Sequence, residues 1–117
     1  MPQRDASHLT DIVQAANQIR TFLQGVDQEQ FDGSSLIQSA VIRQIEIIGE
    51  ATKRLSEPFR AANSHIPWRK IAGMRDLLIH AYDHVDIDEV WNAAQTDIPA
   101  LMLLIEPLIR REEKESS

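Results

Sequence analysis

Apolar residues in this chain recur every three or four positions almost from end to end. No segment sustains the two-residue alternation of a half-buried strand. That regularity leaves helices packed on helices as the architecture open to the chain, because each apolar stripe must be buried against another. Leu9, Ile12, Val13, Ala16, Ile19 and Leu23 make the first stripe, and Gly25 is placed to end its helix. A short polar connection through Gly33 leads to a second helix beginning near Ser34 or Ser35. Its stripe is Ile37, Val41, Ile45, Ile48, Thr52 and Leu55, widened by Ala40, Ile47 and Ala51. So broad a face suits a central helix with neighbours on more than one side. Gly49 lowers helix propensity there and points to close approach by another helix, and Pro58 limits the segment.

A third helix is expected from Pro67 through Trp68, Ile71, Ala72, Arg75, Leu78 and Ile79. The fourth has the clearest start signal. Asp86 and Glu89 stand at capping-box spacing, and Val85 is placed to staple onto Val90. Its stripe continues through Trp91, Ala94, Ile98, Leu101, Met102, Ile105, Leu108 and Ile109, with a kink expected at Pro99 and another at Pro107. The expected fold is therefore all-α, an up-and-down bundle of four helices with a kinked C-terminal helix.

The 117 residues fit one domain, residues 1–111, followed by a polar tail at 112–117. Without cysteine the chain has neither disulfides nor thiolate metal sites, which suits a reducing compartment. No apolar run approaches the roughly 20 residues that span a bilayer, and the N-terminus lacks an apolar signal core. A cytoplasmic location and no membrane partner are the expectation.

A net charge of −6 argues against broad nonspecific nucleic-acid binding, but the charge is unevenly spread. From Lys53 to Arg75, the six cations Lys53, Arg54, Arg60, Arg69, Lys70 and Arg75 face the single anion Glu57. That stretch stands at +5 and the rest of the chain at −11. Convergence of these cations would focus a field on phosphate. The alternative is a set of separately solvated side chains.

Arg75 falls on the apolar stripe of the third helix, between Ile71 and Ile79 and on the same side as Trp68 and Tyr82. A cation there needs a partner. It either snorkels over the core edge, pairs with a buried carboxylate, or serves as a planar, permanently charged phosphate ligand in a cleft. His80 can exchange protons near neutral pH, as attack by a ribose 2′-OH on its adjacent phosphate requires. A lone histidine in a helical domain is more often structural. Arg and His together, however, supply phosphate stabilisation and proton transfer without a metal.

The run Ile45-Glu46-Ile47-Ile48-Gly49-Glu50-Ala51, followed by Ile66-Pro67-Trp68-Arg69-Lys70-Ile71-Ala72-Gly73-Met74-Arg75-Asp76-Leu77-Leu78-Ile79-His80-Ala81-Tyr82, resembles the HepT-like ribonuclease toxins of the HEPN superfamily. The resemblance extends from the first helix through Val90-Trp91. It implies a HEPN-type bundle, commonly a homodimer, that cleaves RNA without a metal or other cofactor as the toxin of a type VII toxin–antitoxin pair. It assigns catalysis to Arg75 and His80 with Asp76 in support. Asp76 stands where relatives often carry Asn. Tyr82 matches the tyrosine that a cognate minimal nucleotidyltransferase antitoxin modifies with AMP. Without the resemblance it reads as a core-edge aromatic with a wet hydroxyl. Arg69 and Lys70 are the expected RNA-binding cations.

An unbroken helix points residues five apart about 140° away from each other. Either the helix breaks near the motif, or Arg75 and His80 act in a site composed from two subunits. The composite site is the favoured reading, with the stripe around Arg75 buried between protomers. His80 and His84 could share a metal but lack a clear third ligand. Glu46 and Glu50 are expected to form surface salt bridges with neighbours such as Arg43, Lys53 and Arg54. The alternative function is a non-catalytic four-helix module that binds a nucleotidyltransferase.

Overall fold

The computed structural model describes residues 2–79 and 86–116, and every regular element among them is helical. Helix α1 spans Gln3–Leu23, α2 Gln28–Asp32, α3 Ser35–Arg54, α4 Glu57–Ala62 and α5 Trp68–Ile79. The C-terminal helix is α6 (Ile87–Asn92), a π turn (Ala93–Asp97) and α7 (Ile98–Ser116) in succession. Helix α3 is the centre, packed against α1 on one side and α5 on the other, while α1 also packs on α7. Val41, Ile45 and Ile48 on α3, Ile12 and Ile19 on α1, and Ile105 on α7 are almost wholly removed from solvent. Each such side chain stabilises the fold by about 1.5–3 kcal/mol of apolar transfer. The four expected stripes thus form the four long helical segments of a HEPN-type bundle.

The two connections hold short helices that the apolar pattern does not signal. Asp27 caps α2 through a reciprocal box with Gln30, and α2 buries Phe31 against Trp91, ring centroids 5.2 Å apart. The Gln38 amide donates to the Phe31 and Asp32 carbonyls, satisfying the end of that helix. The second connection corrects the reading of Pro58. Helix α3 already ends at Arg54, and Pro58 lies in the first turn of α4, where its missing N–H costs nothing. Ser56 caps α4 and is itself anchored by Asp5 of α1. That fully buried carboxylate accepts from both the Ser56 N–H and hydroxyl at 2.7 Å. Charge-assisted bonds of this kind contribute about 1.5–3 kcal/mol each. They fix α4 beside the N-terminal half of α1.

The irregularity expected at Pro99 takes the form of a π turn just before it. The Ile98 N–H reaches back to the Ala93 carbonyl. A proline ring clashes with the carbonyl four residues earlier, here that of Gln95, and the wider π turn relieves the conflict while keeping the helix continuous. Pro107 lies inside α7. Ser34 caps α3, Gly25 takes φ +74° just past α1, and α5 begins at Trp68, one residue after the expected Pro67. Asp86 accepts from the Asp88 and Glu89 N–H groups, as its spacing predicts, whereas Val85 lies outside the described residues. No helix among the described residues is long and apolar enough to cross a membrane.

Candidate active site

The site grows from the crossing of α3 and α5. A β-carbon placed on Gly49 would lie 2.8 Å from the Arg75 β-carbon and 3.4 Å from the Ala72 carbonyl oxygen. The glycine is what lets the two backbones meet. Across this contact the Arg75 guanidinium forms an ion pair with Glu50, the residue next to Gly49. The close approach and the pair are consequences of one register: Gly49 admits α5, and Glu50 meets the cation that α5 brings.

Two expectations change here. Among the residues of α5 whose burial is described, those up to Asp76, the buried ones are Trp68, Ile71 and Met74, and Arg75 stands at the margin of that face. Trp68 and Ile71 are also consumed by the chain's own core, so that part of the stripe is no subunit surface. Second, Glu50 does not join the surface pairs expected of it on α3. Glu46 does, bridging Arg43 at 3.6 Å one turn earlier, but Glu50 reaches to the neighbouring helix.

The energetics of the pair decide what it can do. The Arg75 and Glu50 side chains retain 34% and 40% of their exposure. A pair this open contributes about 0–1 kcal/mol, whereas breaking a fully buried one costs about 3–5 kcal/mol. Glu50 therefore orients the guanidinium without locking it away, and an arriving phosphate can share or displace the carboxylate. Arg75 keeps five donors in a planar fork, more than one carboxylate occupies.

Asp76, the residue after Arg75, is exposed and lies 3.8 Å from the Lys53 ammonium. The two cations expected to bind RNA are separated: Arg69 lines an open groove between α4 and α5, while Lys70 turns the other way to meet Asp97 at 3.6 Å. Lys53 and Arg60 join Arg69 in that groove, and Arg54 faces a different depression with His8 and Arg43. The basic stretch therefore converges in part. His80, Tyr82 and His84 lie outside the described residues. Among the described residues no three His, Asp or Glu side chains are grouped to hold a metal ion. Glu50 is the site residue that pattern reading missed. The demand for a carboxylate near Arg75 was visible, but nothing in the sequence says which of many acids on other helices answers it.

The described residues define an all-helical bundle that presents an arginine at a helix crossing, five residues before a histidine in sequence. Comparison with known proteins gives that arrangement a family. The family model described as ribonuclease HepT-like matches residues 12–108. A "Putative RNase" of Methanocaldococcus jannaschii is 40% identical over 115 residues, covering 97% of this chain and 99% of that protein. The "Probable ribonuclease HepT" of Thermococcus cleftensis is 42% identical over 101 residues, covering 86% and 92%. A "Putative RNase" of Caldanaerobacter subterraneus is 35% identical over 106 residues, covering 91% and 95%. No solved structure matches the chain. The chain belongs to the HepT-like ribonuclease family.

Replacing Gly49 separates packing from propensity. Gly49→Ala gains up to about 1 kcal/mol of helix propensity but overpacks the crossing, at a cost of about 1–3 kcal/mol. The obstructing atom is a β-carbon, so α5 itself must move. The cost therefore falls at the upper end of that range, and urea unfolding is expected to show net destabilisation of about 1–2 kcal/mol. A variant as stable as the parent, or more so, would contradict the close crossing.

Proposed function

We propose that this protein is a metal-independent endoribonuclease, the toxin of a type VII pair acting in the cytoplasm. The observation that carries the reading is Arg75, held at an open helix crossing by a half-exposed carboxylate, in a chain of a ribonuclease family. The ribose 2′-OH attacks the adjacent phosphorus and the 5′-oxygen of the next nucleotide leaves. The strand then ends in a 2′,3′-cyclic phosphate and the leaving fragment in a 5′-hydroxyl. Arg75 stabilises the charge that builds on the phosphorane oxygens. His80 takes the proton from the 2′-OH and supplies one to the leaving oxygen, and Asp76 supports the motif.

A homodimer with composite centres fits this chemistry. Helix α5 runs unbroken through Arg75 to Ile79, so no break before Ile79 turns the arginine toward the position five residues on. In the proposed dimer, Arg75 of one protomer works beside His80 of the other across a two-fold axis. Control falls to Tyr82, seven residues beyond Arg75 in sequence. AMP transferred to its hydroxyl by a cognate minimal nucleotidyltransferase brings a phosphodiester that can pair with Arg75 and a nucleoside that blocks RNA.

Cleavage in excess EDTA is the direct test. The protein should cut RNA and leave DNA intact. Arg75→Ala and His80→Ala should each reduce cutting by about 10²-fold or more while keeping the helical circular dichroism. Activity that EDTA abolishes, or full activity in His80→Ala, would overturn the mechanism. A wild-type protein that cuts nothing yet binds a nucleotidyltransferase would establish the non-catalytic module instead.

Coexpression with the cognate nucleotidyltransferase tests the control step. One adenylyl mass should appear on Tyr82 and cleavage should fall, while Tyr82→Phe stays active and escapes suppression. Fully active modified protein, or suppression of Tyr82→Phe with AMP mapped elsewhere, would remove Tyr82 from the account.

A further inference from the structure

We infer that the groove between α4 and α5 is a phosphodiester subsite that grips single-stranded RNA beside the reacting centre, through the guanidinium groups of Arg60 and Arg69. The inference rests on the ribonuclease reading and extends it to where the strand lies. The groove is open to solvent, with a volume of about 760 Å³, and is lined by Lys53, Arg60, Ser64, Arg69, Gly73 and Asp76, among others. Of the cations near it, Lys53 and Lys70 each meet a carboxylate, Asp76 and Asp97. Arg60 and Arg69 meet none within ion-pair distance among the described residues. The Arg60 Nε is hidden from solvent and has no hydrogen-bond partner. A charged N–H withheld from water without an acceptor is unfavourable, and a turn of the side chain into the groove brings the arginine fork to phosphate oxygens.

The rest of the lining says which part of an RNA enters. A β-carbon on Gly73 would meet nothing within 4 Å, so a strand can lie close along the α5 surface. Trp68 is no base-stacking platform. Its ring is 6% exposed, and its indole N–H already donates to the Asn63 carbonyl at 3.1 Å. The groove therefore takes the sugar–phosphate backbone and reads no base. Glu57 and Asp76 also line it, so the field is focused on the two arginines instead of spread along the wall. Arg69 and Arg75 are six residues apart on one helix, about 9 Å along its axis and about 120° around it, so a strand must cross the α5 surface from the groove to reach both.

Fluorescence anisotropy with a 2′-O-methyl RNA oligonucleotide tests the subsite apart from cleavage, because that probe lacks the attacking hydroxyl. With the full chain, Arg60→Gln and Arg69→Gln should each weaken binding about 10-fold. Each should also lower the slope of log affinity against log salt by about one, by a similar amount for unrelated sequences. Arg20→Gln, on α1 and outside the groove, should bind as the parent does. Arg60→Lys keeps the charge without the fork and should fall between parent and Arg60→Gln, which separates a lost ligand from a lost fold. Unchanged affinity in Arg69→Gln, or an equal loss in Arg20→Gln, would overturn the subsite. So would arginine variants that bind RNA normally but lose a nucleotidyltransferase partner, which would make the groove a protein surface. Intact, arginine-dependent binding by a chain that cuts no RNA would uphold the groove while refuting the ribonuclease reading.

Discussion

The contact of α3 with α5 at Gly49 sets the position of the candidate site residues that α5 carries. A side chain at that point would push α5 off the central helix, and with it Arg75, Asp76 and Arg69, which α5 carries in fixed order. Because Glu50 follows Gly49, the same crossing that admits α5 also supplies the acid that meets its arginine. The surrounding core is ordinary in kind: Ile45 and Ile48 on α3, with Trp68, Ile71 and Met74 on α5, are buried. That packing fixes the α5 backbone, while the half-exposed ion pair at the margin adds little stability. Arg75 is therefore aimed by the core and left available to a ligand.

A second anchoring point holds the other wall of the groove. Asp5 is sealed from solvent and bonded twice to Ser56, which in turn caps α4 by accepting from the Phe59 N–H. Phe59 packs on Trp68 with ring centroids 6.0 Å apart. This chain of contacts runs from α1 through α4 to the start of α5. It sets the distance between Arg60 on α4 and Arg69 on α5, the two arginines of the proposed subsite.

Helix period and end signals made the four main segments legible, because stripes such as Leu9 to Leu23 and Ala94 to Ile109 are long enough for periodicity to dominate. Gly49 was legible as a point of close approach, since a glycine inside so apolar a helix has few other uses. Helices α2 and α4 were not, because five or six residues do not establish a period. Their caps, Asp27 with Gln30 and Ser56 with Pro58, were the readable trace. At the site, Arg75 announced itself by its place on an apolar stripe, and what put it at the margin of the face formed by Trp68, Ile71 and Met74 was the rotation of α5 against α3. Glu50 and the Arg60–Arg69 groove were out of reach for a common reason. Each joins residues from different helices, and the rotation of one helix against another is set by packing that a single sequence does not print. Arg69 and Lys70 show the same limit, adjacent in sequence and facing opposite ways in space.

The central claim is that Arg75 is poised at the crossing to receive the scissile phosphate. The most direct measurement is a crystal structure of the protein with RNA blocked by a single 2′-deoxy substitution at the cleavage position. The account predicts the phosphate of that linkage on the Arg75 guanidinium, with Glu50 sharing or yielding its contact. RNA seated elsewhere, with Arg75 still engaged only by Glu50, would contradict it.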